Sequence, residues 1–189
     1  MKSDDMIVKR LFLDTEWADA KGRELVSLAL VSECGVRQFY AEIDTLPPTP
    51  TEFVKTTVYP LLDRSPAHTM SKARLTAELR GFLTATRRPC IVADYQNDLV
   101  LARLAIAGFD LPDPAAGACG PIPRPVHWRI LDDGLTQMVL EDYFDSHLDA
   151  KRRRHHALVD AQALRATWLA MTGQASASWS ATLNTPRGI

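Results

Sequence analysis

The chain has 189 residues, enough for one domain with a substantial core, and its 46% apolar and 24% charged content is that of an ordinary globular protein. A formal net charge of −1 excludes a protein that coats nucleic acid by charge alone, so any nucleic-acid contact must be local. No apolar run reaches membrane-spanning length and MKSDDMIVKR has no apolar signal core, so neither a membrane span nor export is expected. Cys34, Cys90 and Cys119 are odd in number and far apart, which fits reduced thiols and a cytoplasmic setting better than a disulfide framework or a CxxC site.

In chain order, IVKRLFL (residues 7–13) reads as a strand. ELVSLALVSECG follows as a second, with Gly35 giving the turn its freedom, and VRQFYAEID alternates as a third. Three consecutive strands predict an antiparallel meander. LPPTPTEF then switches period: Thr49 is a candidate N-cap, Pro50 the first helical residue and Glu52 the third, for a short helix ending near Pro60. SKARLTAELRGFLTAT (71–86) places Leu75, Leu79, Phe82 and Leu83 at helical spacing. CIVAD, beyond Pro89, is a short buried strand, and NDLVLARLAIAG is a helix ending at Gly108. LPDPAAGACGPIPRP reads as loop, HWRIL as a fifth strand, and a helix follows through Thr136 and Leu140. The last helix runs from about His156 to Thr172 with Ala157, Ala161, Leu164, Trp168 and Met171 on one stripe. The expected architecture is α/β: a mixed five-stranded sheet, strands 1–3 antiparallel, flanked by helices, as a single domain over 1–172. Residues 173–189, small and polar, are expected to be a mobile tail.

The stretch LFLDTEW sets Asp14 and Glu16 two apart at a strand end, so both carboxylates share one face beside apolar neighbours. They repel and resist dehydration unless a cation joins them. Two further acids sit at element boundaries: Asp98 at the start of the helix after CIVAD, and Asp160 in the first turns of the last helix. Each alone is explained by the helix dipole. Asp94, last residue of its strand, competes with Asp98. Lys151–Arg154 precede the last helix and read as a solvated loop balanced by Glu141, Asp142, Asp145 and Asp149, or as phosphate-holding cations. His68, His127 and His147 share no metal-ligand spacing and read as structural or exposed.

Asp14-Thr-Glu16 after an apolar strand, Asp98 heading a helix, and His155-x4-Asp160 in HHALVDA together resemble the three motifs of the DEDDh exonucleases, in the ribonuclease H-like superfamily. The likeness spans residues 8–172 and is greatest to a small bacterial 3′-5′ exoribonuclease branch. It implies a ribonuclease H-like sheet, with Asp98 rather than Asp94 as the second-motif acid and His155 rather than His156 as the base. ADYQND departs from the family by lacking the His-Asn that precedes that acid. The implied activity is 3′-5′ hydrolysis of single-stranded nucleic acid, RNA favoured over DNA, to nucleoside 5′-monophosphates. The implied partner beyond substrate is a second copy of the chain, as a homodimer.

Four carboxylates in one pocket need counter-charge, which two Mg²⁺ or Mn²⁺ ions would supply through oxygen ligands. Asp14 is expected to bridge both ions, Glu16 and Asp160 to complete one site and Asp98 to help the other, with a neutral His155 accepting the proton of the attacking water. Arg154 is a candidate phosphate contact, and Trp17 a candidate stacking surface for the terminal base, its alternative being a packed core residue. A haloacid dehalogenase-type phosphatase also opens on a strand-end aspartate, but DTEWADA lacks that family's second Asp and following Gly and Thr. An inactive nucleic-acid-binding module of the same fold is the remaining alternative.

Overall fold

Leu11 and Leu13 point to one side of the first strand and Phe12 to the other, and all three are fully buried, so this strand carries core on both faces. It is β1 (Lys9–Trp17) in a computed structural model that describes residues 9–174. The sheet adds β2 (Leu25–Ser32), β3 (Gln38–Ile43), β4 (Thr69–Met70), β5 (Pro89–Ala93) and β6 (His127–Ile130) in the order β4-β3-β2-β1-β5-β6. β1, β2 and β3 form the expected antiparallel meander. β5 joins β1 in parallel, β6 joins β5 in parallel, and β4 runs parallel to β3. Six strands replace the expected five because β4 is two residues long, too short for an alternation signal.

Helices cover both faces. α1 (Lys72–Thr84) and α2 (Gln96–Ala107) place Leu75, Leu79, Leu83, Leu99 and Ala102 against Leu11, Leu13, Leu28, Leu30 and Ile91. The opposite face, with Phe12, Val92, Ala29 and Val31, is covered by α6 (Ala157–Met171) through Leu164, Trp168, Ala157 and Ala161. α4 (Gly134–Ser146) backs α6, packing Leu140 and Phe144 on Val159 and Ala163. Among the described residues, no helix is long and apolar enough to cross a membrane.

Three local expectations change. The cap of the first helical segment is Thr51, not Thr49: its hydroxyl accepts from the Val54 amide at 3.3 Å, and a π turn (Val54–Val58) then tightens into a 3₁₀ turn (Tyr59–Leu61) that contains Pro60. The expected loop after residue 110 contains a short helix, α3 (Asp113–Ala118). Arg80, almost fully buried, ties it down by donating to the carbonyls of Ile106, Ala107, Ala116 and Gly120. Third, Lys151 and Arg152 belong to the last turn of α5 (Leu148–Arg152), where the helix dipole favours cations. Beyond Gln174, the tail expected from residue 173 lies outside the described residues.

Candidate metal centre

The β1–β5 ladder runs from Lys9↔Pro89 to Phe12↔Val92. Two residues past that last pair stand Asp14, within β1, and Asp94, which lies just beyond the end of β5 and is not its last residue as expected; the two-residue repeat carries both to the same face. Past Asp94 the chain turns at Tyr95 into α2, whose first turn carries Asp98. Glu16 lies two residues beyond Asp14, just before a bulge at Trp17, and Asp160 sits in the first turn of α6 beneath it. All five carboxylates line one cleft of about 360 Å³, together with Trp17, Phe53, Tyr95, Arg154 and His155. With His155, they form two groups, Asp14–Asp94–Asp98 and Glu16–His155–Asp160, in each of which one ligand atom per residue lies within 4.8 Å of the others.

Hydrogen bonds fix the two acids that come from helices. Asp98 Oδ1 accepts from the Thr15 hydroxyl at 2.6 Å and the Thr15 amide at 3.2 Å, which ties the start of α2 to β1. Asp160 Oδ2 accepts from the His155 amide at 2.9 Å. His155 adopts φ +72°, a left-handed conformation that costs a non-glycine residue of order 1–3 kcal/mol. That turn sends the two adjacent histidines apart. His155 enters the cleft, edge-on to Phe53 at 4.9 Å between centroids. His156 is buried away from the cleft, stacked on Tyr40 at 4.8 Å.

Electrostatics follow from five acids in a half-dry site. Burial first, then neighbouring carboxylates, pushes Asp14 well above the usual range and Glu16 up to about 8. Asp98 and Asp160 rise to about 7, chiefly by burial and despite the hydrogen bonds that favour their charged forms. Burial raises Asp94 too, against a hydrogen bond from Gln137. His155 moves the other way, lowered by burial and by Arg154, so it is neutral near pH 7.

Asp14 Oδ2 and Asp160 Oδ1 are sealed from solvent with no hydrogen-bond partner. Orphaned carboxylate oxygens converging from two sides, all hard donors, fit a divalent cation, and either group could hold one.

Asp14, Glu16, Asp98, His155 and Asp160, named from the sequence, therefore meet in one place. Asp94 and Asp98, read as competitors, both belong. Trp17 is at once a core residue, half-buried against the large apolar cluster, and a cleft wall, stacked on Tyr95 at 5.8 Å. Arg154 lines the cleft with both terminal nitrogens on Glu141; Lys151 pairs with Asp145 and Arg152 with Asp149. His68 pairs with Asp63, His147 stacks on Tyr143, and neither they nor His127 join the two groups. Phe53 and Tyr95, more than half exposed at the cleft, carried no signal, since neither sits in a pattern that marks a site. Asp94 had one: two residues past Val92, it shares the Asp14 face. Compared with models of known protein families and with curated proteins, the chain matches none.

Proposed function

We propose that the chain is a metal-dependent 3′-5′ exonuclease of ribonuclease H-like fold that acts on single-stranded nucleic acid, RNA in preference to DNA, and releases nucleoside 5′-monophosphates. The observation that carries this is the meeting of carboxylates from β1, the β5 end, α2 and α6 around one imidazole in one open cleft. Glu16 and Asp160 would hold one Mg²⁺ or Mn²⁺, and Asp14, grouped with Asp98, would hold the other with its help. Two such ions would supply the counter-charge, a lowered pKa of bound water and stabilisation of the attacking and leaving oxygens of an in-line displacement.

The chain's own groups do the rest. His155, neutral and aimed into the cleft, accepts a proton from the attacking water at an imidazole nitrogen, and the Asp160 carboxylate on its backbone amide holds it in place. Tyr95, exposed and backed by Trp17, offers a ring face to an unstacked base without reading its sequence. Arg154 contributes positive charge near the scissile phosphate while Glu141 restrains it.

The test is end-labelled single-stranded RNA incubated with the protein and Mg²⁺ or Mn²⁺. Mononucleotide product that disappears with a chelator is expected. A shifted band with no product overturns the proposal in favour of a binding module, and equal rates on DNA overturn the RNA preference.

A further inference from the structure

The family likeness assigns four acids; the cleft holds a fifth in ligand reach. Asp94 stands where the β1–β5 register carries it to the side of Asp14, and its carboxylate lies within 4.8 Å of ligand atoms of both Asp14 and Asp98. We infer that Asp94 is an additional metal-binding carboxylate, completing with Asp14 and Asp98 a three-carboxylate seat for one divalent cation. This rests on the metal site of the proposed exonuclease and names a ligand that the resemblance does not supply.

The oxygens available at the seat favour it. Asp98 spends Oδ1 on two hydrogen bonds from Thr15, so it brings one oxygen to an ion. Asp14 Oδ2 is buried with no partner. Asp94 accepts one side-chain hydrogen bond, from Gln137 of α4, and a carboxylate has room for more. A purely structural duty toward Gln137 would not need a charge, because an asparagine carbonyl accepts the same bond without the repulsion from two neighbouring carboxylates. Arg154 acts on Asp94 from a distance, but its guanidinium is paired with Glu141, and one shared positive charge does not balance three carboxylates. A hard divalent ion does, and carboxylate oxygens are its preferred ligands.

Calorimetric titration of the whole chain with Mn²⁺, without RNA, tests this. Asp94→Asn keeps the shape and the Gln137 bond but removes the charge. It is expected to weaken one of two Mn²⁺ sites by about tenfold or more and leave the other unchanged, with metal-free melting temperature equal or higher. Gln137→Leu is expected to weaken that same site less than Asp94→Asn does, because it removes a partner of the ligand and not the ligand. If Asp94→Asn binds both ions as wild type does, or if it lowers the metal-free melting temperature and Gln137→Leu copies its effect, Asp94 is structural and the inference falls alone. If wild-type protein binds no Mn²⁺, the inference and the proposed metal-dependent activity fall together.

Discussion

At the scale of single residues, Asp14 carries repulsion from four other acids: Asp98, Asp160, Glu16 and Asp94 all act on its carboxylate. Asp14→Ala is expected to leave less than about a tenth of wild-type turnover with the circular dichroism spectrum unchanged, because the residue is an electrostatic liability to the fold and an asset only to bound cations. Its neighbour pair separates roles that sequence spacing alone left adjacent. His155→Ala is expected to lower kcat by about a hundredfold or more while Mn²⁺ affinity, read by calorimetry, stays intact, since the backbone amide on Asp160 survives the change. His156→Ala instead removes a ring packed on Tyr40 and should lower the melting temperature with metal affinity retained. A dead, stably folded His156→Ala would reverse the two assignments. Asp14 and Glu16 were legible because alternation along a strand is a strong rule. Asp94 and Asp98 looked like rivals because they lie on opposite sides of a strand-to-helix turn, and linear spacing does not say that the turn folds them together.

At the scale of elements, long periodic segments were readable and short ones were not. α1, α2, α4 and α6 have enough turns to display an apolar stripe. β4, α3 and α5 are two, six and five residues long, and tertiary ties rather than period make them. α3 is the clearest case, since its segment reads as Pro- and Gly-rich loop until Arg80 reaches across to it. Arg80→Met is therefore expected to destabilise the protein by about 3 kcal/mol or more in urea unfolding, because several buried carbonyls lose their donor at once. Thr15→Val probes the tie between β1 and α2: with the hydroxyl gone, Asp98 keeps only the longer amide bond. The expected result is weaker Mn²⁺ binding at the Asp14 group with the Glu16 group unaffected.

At the scale of the whole molecule, the acid-lined cleft makes stability depend on pH in an unusual direction. In the unfolded chain Glu16 titrates near 4.5 and the aspartates near 3.8, whereas in the folded protein Glu16 holds its proton to about 8 and Asp98 and Asp160 to about 7. The folded state thus binds more protons across this interval, so metal-free stability is greatest on its acid side and falls as pH rises through 7 to 8. His155 and His156, both held below their ordinary range, remove stability only on the acid side of about 6.5. Melting curves in chelator should therefore fall between about pH 5 and 8, and Mn²⁺ should raise the melting temperature more at the alkaline end. A flat chelator profile would contradict the electrostatics described for the cleft. The same sealed carboxylates also make cation capture an acid-producing event. Below pH 8 the site must shed hydrogen ions as it fills, so the heat measured on adding Mn²⁺ will change with the ionisation enthalpy of the buffer, and the slope of that dependence counts the hydrogen ions expelled.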